Sequence, residues 1–229
     1  KGYHCFFMML LTHMKKYLQE LSSIPAPIVK PSTIRTISKQ ESLSPLGKIM
    51  LDNIAQKSIL GVVKRFKELG LKTAQGYQVI DELMTFQLIT PCMIDRQKLY
   101  DLTDKGKSVL GRKYQLKGRG GLEHRYYIEK IKTHYLKQEK FTFIEKEDID
   151  LVVESFHQAL AIEVETGKSN MLANLIKLGK FKADKKYMLA TNKAAEIKIK
   201  DLFDTLKIPD KEKIQVVYVK DFINNPPAI

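Results

Sequence analysis

DIDLVVESFHQALAIEVETGKS, residues 148–169, reads as two neighbouring strands with acids placed to share a metal. Asp150 opens the apolar run Leu151, Val152, Val153, which has the length and composition of a buried strand. After a break at Ser155, Phe156 and His157, residues 159–165 supply its partner. Side chains alternate along a strand, so Glu163 and Glu165 share one face while Ile162 and Val164 take the other. Pairing the two strands as a hairpin brings Asp150 toward the same patch, an all-oxygen environment suited to Mg2+ or Mn2+.

The rest of the chain sets limits on this stretch. With 229 residues, 44% of them hydrophobic, it is long enough for one large domain or two ordinary ones. Its net charge of +13 points to a polyanionic partner, and the charge is concentrated: residues 105–140 hold 11 Lys/Arg against 3 Glu, a net of +8. A lysine-rich solvated surface, as in thermophile proteins, accounts for the overall charge equally well. Cys5 and Cys92 stand in unrelated contexts, which argues against a disulfide framework or zinc site and makes a cytoplasmic location the default. The apolar run over residues 5–11 falls short of the ~20 residues needed to span a bilayer. Because the chain opens on Lys1, a piece of a longer protein is one expectation.

Residues 3–22 suit a partly amphipathic helix, and Pro25, Pro27 and Pro31 mark a linker, so residues 1–43 form a first segment. Residues 44–116 read as helix, helix, helix, hairpin, helix. Ser44 is the N-cap and Pro45 the first helical residue of the opening helix, and Gly70 stops the second. A third helix over 73–86 buries Val79, Ile80, Leu83 and Met84 and presents Thr73, Gln75, Tyr77 and Gln78. Lys64, Arg65 and Lys67 read as a solvated face. The connector Lys117-Gly-Arg-Gly-Gly121 is a turn or hinge with the basic residues Arg112, Lys113, Lys117 and Arg119 around it. Residues 117–229 then alternate: a helix over 122–138, strands at 141–144, 150–153 and 159–165, a helix over 169–179 with Ser169 as N-cap, a strand at 187–190, a helix over 194–206 and a strand at 214–219. Residues 224–227 read as a tail.

The order of elements in residues 44–116, with KLYDLTDKGKSVL at 98–110 as its hairpin-to-helix junction, resembles a winged helix-turn-helix domain. That resemblance implies DNA contact by Thr73, Gln75, Tyr77 and Gln78 in a groove and by Arg96 and Lys98 at phosphates. A protein-interaction module is the alternative use of the same fold. In the second half, a helix, three strands, a helix and a strand, with acids at Asp150 and Glu163, resemble the PD-(D/E)XK (restriction endonuclease-like) nuclease superfamily. The expected fold class is therefore α+β and α/β, a winged-helix domain followed by a mixed-sheet αβββαβ domain.

The superfamily resemblance implies Asp150 and Glu163 as metal ligands, completed by Glu123, with Mg2+ or Mn2+ as cofactor. Glu165 stands where the superfamily usually has a lysine. Lys168 supplies that ammonium from a migrated position, with Lys177 as a second candidate. His124 and Arg125 are placed near the scissile phosphate, although a histidine at a helix start more often has a packing role. Tyr126 and Tyr127 suit base stacking or the core. RGGLEHRYY at 119–127 and AIEVETGKS at 161–169 are similar to C-terminal regions of archaeal and mobile-element proteins attached to DNA-translocating ATPases. The expected partners are DNA, such an ATPase, and a second copy of the chain. Three functions compete: a metal-dependent deoxyribonuclease, a non-catalytic DNA-binding module that acts as a regulator or as the DNA-engaging tail of the ATPase, and a protein-interaction scaffold.

Overall fold

The computed structural model describes residues 42–111 and 120–229. Within it, Leu43–Ile229 form one compact unit. The helix and linker expected over residues 3–43 lie outside the described residues except for the last two, and the connector cations Arg112, Lys113, Lys117 and Arg119 lie wholly outside them.

Three helices open the described chain: α1 (Pro45–Gln56), α2 (Val62–Glu68) and α3 (Thr73–Thr85). Ser44 caps α1, its hydroxyl accepting the Gly47 N–H at 2.9 Å. Met50, Leu51, Ile54, Phe66, Val79, Ile80 and Leu83 bury the facing stripes of the three helices. An antiparallel hairpin follows, β1 (Ile89–Ile94) and β2 (Gln97–Leu102), and then α4 (Asp104–Val109). Leu88, Ile89, Tyr100 and Leu102 return to the helical core.

Arg65 departs from the solvated face expected for it. It is buried, and its guanidinium reaches Asn53 Oδ1 and the carbonyls of Lys57 and Leu60, locking α2 to the end of α1. Burial pulls its pKa down to about 10, so it keeps its charge at neutral pH.

The second half is a mixed five-stranded sheet in the order β3-β4-β5-β6-β7. The strands are β3 (Phe141–Lys146), β4 (Ile149–Glu154), β5 (Ala159–Glu165), β6 (Lys185–Ala190) and β7 (Ile214–Tyr218). β3, β4 and β5 run antiparallel, while β5, β6 and β7 run parallel, joined by α6 (Met171–Lys180) and α7 (Lys193–Thr205). Leu151, Val153, Leu160, Ile162 and Leu189 pack under α5 (Leu122–Leu136) and the short α8 (Val219–Asn224). Val152, Ala161, Met188 and Ala190 pack under α6 and α7. β5 is covered on both faces and reads as a near-continuous apolar run for that reason, with its two glutamates as the exceptions.

The two halves share a core. Ile94 and Leu99 of the hairpin lie in the same apolar cluster as Tyr126, Tyr127, Ile131 and Phe222. Asp95 at the hairpin turn takes Lys130 of α5 at 2.6 Å and Lys220 of α8 at 3.2 Å. The chain end also differs from the expected tail: the Tyr135 hydroxyl donates to the Pro227 carbonyl at 3.0 Å and Lys185 to that of Ala228 at 2.9 Å. Among the described residues no helix is long and apolar enough to cross a membrane.

Candidate functional site

β4 and β5 place Asp150 opposite Glu163, because their register pairs Leu151 with Ile162 and Val152 with Ala161. Asp150 is held from three directions. Its Oδ2 accepts the Val164 N–H at 2.9 Å and meets His124 Nε2 at 2.9 Å, while its own N–H donates to Glu163 Oε1 at 3.1 Å. Its side chain keeps 14% exposure, whereas Glu163 as a residue keeps 1%.

Glu163 pairs with Lys177 of α6, whose Nζ lies 2.9 Å from Oε1 and also donates to the Asp148 carbonyl at 2.6 Å. Burial and the adjacent Asp150 charge push the Glu163 carboxyl up to about 8, against the pull of Lys177. Lys168 is exposed in the following loop and Lys177 makes the contact, so the ammonium beside Glu163 is the second candidate rather than the first.

Glu165 is equally buried, but it is served by neutral donors, the Ser169 hydroxyl on Oε1 and Asn174 Nδ2 at 3.1 Å on Oε2. Ser169 therefore does not cap α6. Asn170 does, its Oδ1 accepting the Ala173 N–H at 3.1 Å, which frees the Ser169 hydroxyl to turn toward Glu165.

These groups line one cleft of about 640 Å³. Thr90, Pro91 and Cys92 of β1 form part of its wall, Gly120, Gly121, Glu123 and His124 another, and Lys168 a third. Among the described residues, Asp101, Glu123, Glu145, Asp148, Asp150, Glu163 and Glu165 contribute seven carboxylates against Lys168 and Lys177. That excess favours cations in the cleft. Among the described residues no three His, Cys, Asp or Glu side chains converge to hold an ion. Glu123 lines the cleft beside Asp150 and Glu163 without completing such a set. Two carboxylates nevertheless match the usual Mg2+ arrangement, in which one or two protein oxygens are supplemented by water and phosphate. The donor chemistry thus fits a hard divalent ion on Asp150 and Glu163.

The residues expected at DNA divide into groups. Thr73, Gln75, Tyr77 and Gln78 are exposed along α3, and Arg96 and Lys98 are exposed on the hairpin. Arg125 is not at a surface: it keeps 8% exposure and donates to Ser58 Oγ at 2.7 Å and Asp101 Oδ1 at 3.3 Å, tying α5 to the helical half. His124 faces Asp150, with its Nδ1 buried and unpartnered. Tyr126 and Tyr127 are buried, packed edge-to-face at 5.2 Å between centroids, which removes them as stacking platforms. Sequence reasoning missed Asn174, and it could not rank Lys177 above Lys168. Both Asn174 and Lys177 lie on the turn of α6 facing the β5 acids, and only the rotation of that helix reveals this.

No protein-family model matches this chain, and no curated protein does. Among solved structures, the chain is similar to Can2 from Sulfobacillus thermosulfidooxidans in complex with cyclic tetra-adenylate, at 15% identity and a TM-score of 0.35, a likeness too slight to carry an argument. The match covers 78% of this chain and 54% of that one, so the chain spans about half the length of the structure it matches.

Proposed function

We propose that this chain hydrolyses nucleic-acid phosphodiester bonds with a divalent metal, and that its helical half, used as a winged helix-turn-helix, engages DNA. One observation carries the proposal: Asp150, Glu163 and Lys177, from β4, β5 and α6, meet in a single open cleft. Two acids and an ammonium at one point supply the opposite charges that phosphoryl chemistry needs, and burial beside Asp150 raises the Glu163 carboxyl in the way that functional sites raise their acids.

In this reading Asp150 and Glu163 would hold Mg2+ or Mn2+, which would supply Lewis-acid activation of a water and offset phosphate charge. The Val164 N–H and His124 fix the orientation of Asp150, so little reorganisation is needed on binding. Lys177, carried on a packed helix, faces the developing negative charge. Ser169 and Asn174 keep Glu165 turned toward α6, so Glu165 acts as a support of that helix rather than as the superfamily lysine's substitute.

The experiment is incubation of single-stranded circular DNA, gapped duplex DNA and plasmid DNA with Mg2+ or Mn2+, comparing the wild type with Asp150→Ala, Glu163→Gln, Lys177→Met and Lys168→Met. Cleavage lost in the first three and retained in Lys168→Met supports the assignment. Absence of cleavage by the wild type, or cleavage that survives Asp150→Ala and Glu163→Gln, removes it.

A second reading, a non-catalytic DNA-binding module such as the DNA-engaging part of a translocating ATPase, is favoured by the Lys177 ion pair, which already neutralises Glu163 in the place where a metal would sit. It predicts salt-sensitive DNA binding with no dependence on divalent ions.

A further inference from the structure

We infer that the cleft takes an unpaired polynucleotide strand and excludes paired duplex. This inference rests on the hydrolytic reading of the site and names its substrate class. The acids lie at depth: Glu163 is 1% exposed, and β1 residues Thr90, Pro91 and Cys92 wall the same cleft. That wall is held in place, because Ile94 and Leu99 of the hairpin are buried in the core shared with α5 and the sheet, and Asp95 is tied to both α5 and α8. A duplex would bring its backbone to the carboxylates only after the hairpin lifted out of that core, exposing both apolar side chains. A single strand needs no such opening.

A second compartment continues the path. A cavity of about 460 Å³ lies beyond Asp150, which lines both spaces. Its walls are apolar at Ile59, Ile128 and Ile144, and Lys132 stands at its edge beside its partner Glu129. Apolar surface of this kind gives an unstacked base a contact away from water, which a base held in a duplex does not need. Both spaces fall within the roughly 300–1,000 Å³ typical of pockets that enclose a small organic group, which suits one or two nucleotides rather than a helix. The strand lies across Asp150, with one nucleotide on the β1 side and its neighbour against Ile144. The carboxylate excess makes its binding depend on a divalent ion.

The test measures anisotropy of labelled single-stranded DNA, single-stranded RNA and blunt duplex DNA in Ca2+, with wild type, Thr90→Trp and Ile144→Asp. Both substituted side chains line the compartments at exposed positions, and thermal unfolding checks that each variant folds. Each substitution is expected to weaken single-strand binding about tenfold and leave duplex binding to the helical half unchanged. Strand binding unaffected by both variants, or duplex binding weakened to the same extent, overturns the inference. Binding of RNA as well as DNA with this profile supports it, since both are unpaired strands. A gapped duplex in Mn2+ then separates the two levels. Cuts confined to the gap support the strand site. Cuts in the paired arms that vanish in Asp150→Ala retain the hydrolytic reading and sink the strand site. Strand binding with the expected profile but no cutting retains the strand site and sinks the hydrolytic reading.

Discussion

The helical half and the sheet half each bury a charge, and they treat it in opposite ways. Arg65 enters the helical core with three oxygen acceptors around its guanidinium and the Glu68 carboxylate nearby to favour its charge. Glu163 enters the sheet half next to another acid, Asp150, with one lysine in partial compensation. The first arrangement satisfies the charge for the sake of the fold. The second leaves it dependent on a proton or a further cation, and such dependence is what a site that receives ligands retains.

The contrast can be broken most directly at Glu163. Glu163→Gln is expected to lower metal-dependent cleavage by roughly 100- to 1,000-fold, measured by initial rates on a gapped DNA duplex. The same variant tests the compensation. The folded-state pKa of Glu163, about 8, lies above its usual value of 4.5, so its protonated form stabilises the fold below pH 4.5, and that stability is lost as pH rises through the window to about 8. The wild type should therefore lose stability relative to Glu163→Gln across this window, read from urea unfolding in a pH series. A flat difference would mean that Glu163 is as well satisfied as Arg65.

The opposite behaviour is expected of Arg65. Arg65→Met leaves Asn53 and two carbonyls without their donor and should cost about 3 kcal/mol of stability, with little dependence on pH near neutrality, by the same unfolding measurement. Gly106→Ala should come next, at about 2 kcal/mol, because an added Cβ would stand 2.1 Å from the Leu88 carbonyl oxygen and push α4 off the hairpin.

The smallest effect concerns the junction of the halves. Lys130 first, and then Lys220, hold the Asp95 carboxyl below its usual range. Its stabilisation is therefore complete above about pH 3.8 and is lost as pH falls through the lowered value. Asp95→Asn should cost ~1 kcal/mol at pH 7, and the difference from wild type should vanish in strong acid.

Much of the element order was legible in the chain alone. The apolar run over residues 159–164 interrupted by Glu163, the Ser44-Pro45 start of α1 and the apolar stripe of Val79, Ile80 and Leu83 are local signals, each carried by neighbours in sequence. The mixed sheet follows from them, since α6 and α7 are the crossovers that parallel strands require. The roles of charged residues were less legible. Arg65 and Arg125 resemble their solvated neighbours in sequence, and their burial depends on acceptors brought from 12 residues away, as with Asn53, or from 67, as with Ser58.

What the sequence determined by itself is therefore the succession of helices and strands and the presence of Asp150 and Glu163 on adjacent strands, because backbone periodicity is a short-range property. Only the tertiary structure decided that Lys177 and not Lys168 reaches Glu163, that His124 turns to Asp150, and that the hairpin closes one wall of the cleft. Each of these depends on how a helix or hairpin is rotated when its apolar face is buried, and that rotation is set by partners distant in the chain.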